Sequence, residues 1–138
     1  MLLVVDANVV FSALIRRGNP FKVFEANNIF KRFEFTAPEF LFEEIDKKFN
    51  KILSKTHLSS QELSETLSFI KEQIEFIPST ESLDKFPEAK ELNFKDSPYL
   101  ALALNLNCPI FSGDKGLKEQ TKVKVLSPRE LLDIFEKV

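Results

Sequence analysis

The feature that most constrains the fold is a run of four apolar residues, Leu2 to Val5, that ends at Asp6. An unbroken apolar run of this length is typical of a strand that is buried on both faces. Such strands belong to parallel sheets, which carry helices on both sides. Helical patterns and further short apolar runs then alternate along the chain. We therefore predict an α/β fold, a three-layer α/β/α sandwich with a mostly parallel central sheet.

Turn and cap residues set the expected bounds of these elements. Gly18-Asn19-Pro20 should separate the first two helices. Capping boxes are expected to begin three later helices, at Thr36 with Glu39, Ser59 with Glu62, and Ser127 with Glu130. The predicted strands are residues 2–5, 33–36, 76–77, 109–112 and 123–126. The predicted helices are residues 9–15, 21–30, 39–53, 59–74, a short helix near Ala89, residues 99–106, and a last helix from Pro128 to near the C-terminus.

Composition limits the class of protein. The 138 residues, 43% hydrophobic and 29% charged, are typical of one soluble globular domain, residues 1–138. We expect no membrane span and no secretory signal, and the single cysteine favours a cytoplasmic location. The 15 phenylalanines are expected to fill the core. Because the net charge is −2, any contact with nucleic acid must use local basic patches.

Several common sites are absent from the sequence. It contains neither of the glycine-rich motifs that cradle phosphates. With His57 as the one histidine and Cys108 as the one cysteine, zinc sites built from several such residues are excluded. We interpret His57 as a solvated loop residue and Cys108 as a small buried hydrophobe. Carboxylates remain as the candidates for chemistry.

Three aspartates are expected at one edge of the sheet. Asp6 ends the first strand, Asp114 follows the strand at residues 109–112, and Asp96 begins an apolar helix. Each has an alternative role as a helix cap or turn residue. However, a charge at the end of a buried strand is costly unless it is paired. The positive end of a helix would also keep Asp96 ionised, as a hard metal ion requires.

A fourth carboxylate can flank the three aspartates. In the predicted helix 39–53, the apolar face formed by Leu41, Ile45, Phe49 and Ile52 places Glu44 at its margin and Glu43 on the solvated side. Asn8 and Ser112 are candidates to orient a carboxylate or a water, although Asn8 would serve equally in a turn. Because clustered carboxylates repel, we expect a cation among them. Oxygen ligands alone indicate Mg²⁺ or Mn²⁺, and hence phosphodiester chemistry.

Four short motifs resemble those of PIN-domain nucleases, a family that includes VapC-like ribonucleases. Asp6-Ala7-Asn8 after a strand resembles the first motif, and Glu43-Glu44-Ile45 resembles the second, with Glu44 as the ligand. The segment from Asp96 to Ala103 resembles the third, and Ser112-Gly113-Asp114 resembles the fourth. The order and spacing of the four motifs extend over nearly the whole chain.

The resemblance implies a parallel α/β/α sandwich and Mg²⁺- or Mn²⁺-dependent cleavage of single-stranded RNA. It implies that Asp6, Glu44, Asp96 and Asp114 hold one or two ions, with Asn8 and Ser112 behind them. It also implies a homodimer and, for VapC-like toxins, an antitoxin partner. The chain departs from the family pattern at Gly116, where many members carry a further acid, so the number of metal ions stays open.

Basic residues near the first and fourth motifs are candidates to bind RNA phosphates. They are Arg16, Arg17, Lys22, Lys115 and Lys118, and for each the alternative is an ordinary solvated side chain.

Two other functions compare differently with the sequence. A phosphoacceptor receiver domain fits poorly, because it needs adjacent acids after the first strand and Asp6 is followed by Ala7. A catalytically weak PIN-like domain that acts as an RNA-binding or assembly module stays open, because of the acidic net charge and Gly116.

Overall fold

Short, apolar strands pair into one parallel sheet. A computed structural model of the chain describes residues 1–136; residues 137 and 138, which the predicted single domain includes, lie outside the described residues. The strands within the described residues are β1 (Leu2–Val5), β2 (Glu34–Pro38), β3 (Ile74–Ile77), β4 (Ile110–Phe111) and β5 (Val125–Leu126). All neighbouring pairs are parallel, in the order β3-β2-β1-β4-β5. The predicted parallel sheet is confirmed.

Helices connect the strands. Those within residues 1–136 are α1 (Ala7–Ile15), α2 (Asn19–Phe30), α3 (Phe40–Lys55), α4 (Ser60–Lys71), α5 (Phe86–Leu92), α6 (Ser97–Leu106) and α7 (Pro128–Glu136). Helix α1 contacts α2, α3 and α4, and α2 contacts α7, whereas α6 contacts α5 and packs on β1 and β2. Right-handed crossovers put helices on opposite faces when the chain reverses its direction across the sheet. The chain reverses in this way after β3, which explains the two groups of helices.

The core is rich in aromatic rings, as the phenylalanine count predicts. The rings of Phe24, Phe35 and Phe111 lie with centroids 5.2 to 5.9 Å apart, between α2 and the central strands. The prediction is wrong for Phe30 and Phe94, which are 61% and 76% exposed. No helix within residues 1–136 combines the length and the apolar character that a membrane crossing requires.

Strand pairing overrides some of the predicted helix starts and ends. The capping box at Thr36 and Glu39 is wrong: Thr36 lies inside β2, where its hydroxyl donates to the Glu75 carbonyl at 3.0 Å. The helix predicted to reach residue 74 ends at Lys71, because residues 74–77 pair with β2. The capping boxes at Ser59 and Ser127 are confirmed, with reciprocal bonds of 3.1 Å to Glu62 and Glu130.

The segment between β3 and α6 is more ordered than its polar sequence suggests. A 3₁₀ helix covers Ser79–Lys85, with a kink at Ser82, and leads directly into α5. The short helix predicted near Ala89 is confirmed. This segment brings the start of α6 back to the edge of the sheet where β1 and β4 end.

Candidate functional site

The strand order places a crevice beside β1. From β1 the sheet continues to β2 and β3 on one side and to β4 and β5 on the other, so the connections leave β1 and β4 in opposite directions. In open parallel sheets, ligands bind at such a reversal, beyond the carboxyl ends of the strands. Asp6 directly follows β1, and Ser112, Gly113 and Asp114 follow β4. The fold thus brings the first and fourth motifs to one place.

Asp6 is a buried carboxylate at the centre of this crevice. It is 3% exposed and makes no side-chain cap bond to α1, which argues against its alternative role as a helix cap. Its Oδ2 accepts a hydrogen bond of 2.7 Å from the Ser112 hydroxyl. Burial, and to a smaller extent the charges of Asp96 and Asp114, raises the pKa of Asp6 from 3.8 to about 6 against the effect of the Ser112 bond. The site therefore favours neutralisation of this group by a proton or a cation.

Ser112 connects the turn after β4 to the start of α1. While its hydroxyl donates to Asp6, its oxygen accepts from the Asp114 backbone N–H at 3.0 Å. Asn8 Oδ1 accepts from the Gly113 backbone N–H at 3.2 Å. These bonds hold Asp6 and Asp114 in a fixed relation. Asn8 and Ser112 thus contact Asp6 and the turn that carries Asp114; their role in orienting a metal ligand or a water stays a prediction.

In the loop at residues 114–116, Gly116 takes the position at which the family pattern has a further acid. The Gly116 N–H donates to Asp114 Oδ1 at 2.9 Å. A Cβ at position 116 would lie 3.3 Å from that oxygen, which is tighter than an ordinary contact. An acid at this position would therefore crowd Asp114 as it is placed here.

Asp96 is buried at the start of α6 with one carboxylate oxygen unpaired. The predicted N-cap bond is absent: the residue occupies the cap position, but its side chain accepts nothing from the helix. The backbone N–H of Asp96 donates to Asn93 Oδ1 at 3.2 Å. Asp96 Oδ2 is buried and has no hydrogen-bond partner within residues 1–136. Burial and the charges of Asp114 and Glu44 raise the pKa of Asp96, and Lys95 opposes them.

Glu44 reaches the site from α3 and is held by a residue that the sequence analysis did not select. The Tyr99 hydroxyl donates to Glu44 Oε1 at 2.7 Å, and Lys48 Nζ lies 3.6 Å from Oε2. Tyr99 is 1% exposed, and its burial, followed by the Glu44 contact, raises its pKa, so the hydroxyl stays a donor. A signal was present: Tyr99 is the one tyrosine of the chain and lies in a largely apolar helix, and a buried tyrosine hydroxyl usually needs a partner. Glu43 is exposed, as predicted.

The donor set fits a hard divalent cation. Within residues 1–136, no three His, Cys, Asp or Glu side chains enclose a point where they could hold an ion without rearrangement. Mg²⁺ commonly keeps several waters and takes one or two carboxylates directly, so a complete protein cage is not required. The unpaired, buried Asp96 Oδ2, with the charges of Asp114 and Glu44 acting on it, is the position that most needs a positive partner.

The basic residues predicted at the rim of the site differ in their contacts: two of them bind other side chains. The Arg17 guanidinium donates to Thr66 at 3.2 Å and lies 3.9 Å from the centroid of Phe21, so it joins α2 to α4. Lys118 lies 2.6 Å from Glu130. Arg16, Lys22 and Lys115 are exposed. Their binding to a substrate stays a prediction.

Other candidate features lie apart from the carboxylates. His57 is exposed between α3 and α4, and Cys108 is half-buried with a raised pKa due to its burial, as a non-reactive thiol should be. A cavity of about 590 Å³ lies beside β2 and β3, with Asn27 and Gln73 among its lining. Those two amides bond to each other and to backbone carbonyls, so they stabilise the fold.

Comparison with known proteins agrees with this arrangement. Residues 4–130 match the sequence profile of the PIN domain. The fold is similar to that in the crystal structure of VapBC2 from Rickettsia felis bound to a DNA fragment from their promoter, with a TM-score of 0.68 and 14% identity over 92% of this chain and 98% of that one. It is also similar to PAE2754 from Pyrobaculum aerophilum, with a TM-score of 0.71 and 15% identity over 100% of this chain and 91% of that one. No curated protein sequence matches the chain.

Proposed function

The chain belongs to the PIN domain family, and we propose that it is a metal-dependent endoribonuclease that cleaves single-stranded RNA. Residues 1–138 would form one nuclease domain, with Asp6, Glu44, Asp96 and Asp114 as its metal-binding and catalytic carboxylates. The observation that carries this proposal is the buried Asp96 oxygen without a partner, next to other carboxylates whose charges act on it. Such an arrangement is costly in the absence of a cation.

The residues of the site would bind the ion and orient the substrate. Asp6 and Asp96 are buried and supply the most strongly desolvated oxygens, while Asp114 and Glu44 lie at their sides. Ser112 and Tyr99 each donate a bond of 2.7 Å that fixes one carboxylate, and Asn8 holds the turn behind them. One or two Mg²⁺ or Mn²⁺ ions bound there would activate a water and offset the charge on the scissile phosphate. Exposed Lys115 is the candidate to contact a phosphate.

An exposed aromatic residue beside the site favours a single-stranded substrate. Phe94 is 76% exposed and lies two residues before Asp96, in a loop that the bond from the Asp96 N–H to Asn93 holds in place. Lys95, between them, is exposed. Unpaired bases stack on exposed aromatic rings, and a neighbouring cation attracts the phosphate. A duplex, whose bases are already stacked, would gain nothing from Phe94.

Replacing Phe94 by Ala is expected to raise the Kd for a single-stranded RNA by roughly 5- to 100-fold, because base stacking contributes about 1–3 kcal/mol per base. The Kd for a duplex should stay unchanged. Fluorescence anisotropy with a labelled oligonucleotide measures both. The matched control is Phe30→Ala, which removes a ring that is 61% exposed on α2. An equal loss of affinity in the two variants would contradict a role for Phe94 in binding.

Replacing Tyr99 by Phe is expected to lower the affinity for Mn²⁺ about 10- to 100-fold, the usual effect of removing a group that orients a ligand. The variant keeps the buried ring but leaves Glu44 Oε1 without its donor. The readout is the Mn²⁺ concentration for half-maximal cleavage, which a purely structural role would not move. Unchanged Mn²⁺ dependence, at a reduced rate, would show that Tyr99 does not act through the metal site.

The proposal extends to partners. The similarity to VapBC2, whose crystal structure contains a DNA fragment from its promoter, supports a VapC-like toxin with an antitoxin partner; an RNA-processing nuclease is the alternative role. The homodimer and the cytoplasmic location stay predictions. A second candidate, a catalytically weak PIN-like RNA-binding or assembly module, is favoured by Gly116, which leaves position 116 without an acid.

An assay with labelled single-stranded RNA tests the proposal directly. The protein is incubated with Mn²⁺ or Mg²⁺, and with EDTA in parallel. We expect internal cleavage that EDTA abolishes, with products that carry a 5′-phosphate and a 3′-hydroxyl, since water rather than the 2′-hydroxyl attacks. Binding without cleavage, over a set of RNAs of mixed sequence, would favour the binding module instead.

A further inference from the structure

A small cavity lies at the ends of β2 and β3, where Pro38 and Ile77 form part of its lining. Its volume is about 180 Å³, well below the range of pockets for drug-sized ligands, which suits a single flat group. The ring of Phe40 forms part of its wall, and Phe86 and Leu102 also line it. Phe40 also packs edge-on against Tyr99, with centroids 6.2 Å apart, and Tyr99 holds Glu44. A chain of direct contacts therefore joins the cavity to the proposed active site.

One buried polar group in this cavity lacks a partner. Ser82 lines the cavity, is 3% exposed, and its hydroxyl makes no hydrogen bond within residues 1–136. The 3₁₀ helix kinks at Ser82, which has a φ of −122° and a ψ of 15°. An unpaired buried hydroxyl costs stability, so natural proteins rarely keep one without a use. The function proposed above gives Ser82 no role.

The charge of the lining limits what can bind. Glu39 and Glu43 are the ionisable residues that line the cavity, and no Lys or Arg does. A phosphate would be repelled there. The lining suits a neutral, flat group that offers hydrogen-bond donors to a carboxylate and one further polar atom to a hydroxyl. Nucleobases with an exocyclic amino group have this pattern, because the amine donates while the adjacent ring position pairs with the hydroxyl.

We propose that this cavity binds one base of the RNA substrate and selects bases that carry an amino group (cytosine, adenine or guanine) over uracil. Phe40 and Phe86 would contact the faces or edges of the base, Glu43 would accept from its amine, and Ser82 would pair with the ring edge. The proposal rests on the nuclease function proposed above and names the sequence preference of that site. It also gives a use to the otherwise unpaired Ser82 hydroxyl.

Nucleoside titrations of the full chain, followed by NMR, test this binding without any need for cleavage. The probes are cytidine, adenosine, guanosine and uridine, in EDTA. We expect saturable shifts at Ser82 and Leu102 with at least one of the three amino nucleosides, and weaker binding of uridine, by about 10- to 100-fold, the value of one hydrogen bond to a charged group. Glu43→Gln should remove this difference, whereas Ser82→Ala should weaken the binding of all four nucleosides, because a hydroxyl can pair with the ring edge of any base. The control Asp46→Asn, an exposed acid further along α3, should leave it unchanged.

The possible results of these titrations distinguish the base-binding proposal from its alternatives. Uridine binding as tightly as the other nucleosides, or shifts spread away from the cavity, would overturn the proposal. A Ser82→Ala variant that is more stable than wild type and binds all nucleosides as before would also overturn it. That result would instead indicate that the cavity accepts a side chain of a protein partner. Failure of the nuclease proposal appears separately, as wild-type protein that binds an amino nucleoside at Ser82 but cleaves no RNA.

Discussion

Replacing Asp6 by Asn is expected to raise the free energy of unfolding of the metal-free protein by about 2–3 kcal/mol at pH 7.5, since one pKa unit corresponds to about 1.36 kcal/mol. The pKa of Asp6 is about 6 in the folded protein against an ordinary value of 3.8. The buried carboxylate is therefore a net cost above pH 6. Asn keeps the shape and can still accept the hydrogen bond from Ser112. Urea denaturation in EDTA measures the difference.

The raised pKa of Asp6 determines how the stabilisation by Asp6→Asn depends on pH. A carboxyl group with a raised pKa binds its proton more tightly in the folded state. The stability contributed by the protonated group is thus complete below pH 3.8 and is lost as the pH rises through about 6. The advantage of Asp6→Asn should fall to about half of its pH 7.5 value by pH 5. A variant that is less stable than wild type at pH 7.5 in EDTA would show that Asp6 is not a strained charge.

Replacing Asp96 by Asn is expected to lower the rate of RNA cleavage about 10²- to 10³-fold, the usual loss when one preorganised charge is removed from an active site. The variant keeps the size of the side chain but removes the negative charge beside Asp114 and Glu44. It should also unfold at a higher temperature than wild type in EDTA, because a buried charge is gone. Loss of activity together with a gain in stability is unusual for a merely structural residue.

The control for this substitution is Asp46→Asn, which changes an exposed aspartate on α3 by the same chemistry. We expect wild-type cleavage from the control, measured by initial rates on the same labelled RNA in Mn²⁺. Cleavage that survives Asp96→Asn would place the reaction at another site or assign it to a contaminating enzyme.

The sequence predicts the parallel sheet, and the positions of Asp6 and Asp114 at the ends of two of its strands, because both depend on local patterns. The run Leu2–Val5 is typical of a strand buried on both faces, and a carboxylate at its end lies at the edge of a parallel sheet. The residues before α3 and the end of α4 could not be predicted in the same way. The capping pattern at Thr36 competes with pairing to β1 and β3, and only the assembled sheet decides between them.

Tyr99, which holds Glu44, could not be identified from the sequence, because the two residues come from distant parts of the chain. Tyr99 and Glu44 are 55 residues apart, and no local spacing relates them. Ser112 was identified from its motif, but the bond that it makes to Asp6 spans 106 residues. The unpaired oxygen of Asp96 could not be predicted, because the residue occupies the expected cap position of α6 and yet its side chain accepts no bond from the helix.

Calorimetric titration of Mn²⁺ into the wild-type chain and the Asp96→Asn variant, at pH 7.5, tests the central claim most directly. The claim is that the carboxylates at the ends of β1 and β4 and at the start of α6 hold a divalent cation. We expect saturable binding of one or two ions to wild type and a large loss of affinity in the variant. Wild-type protein that binds no Mn²⁺, or a variant that binds it equally well, would contradict the claim.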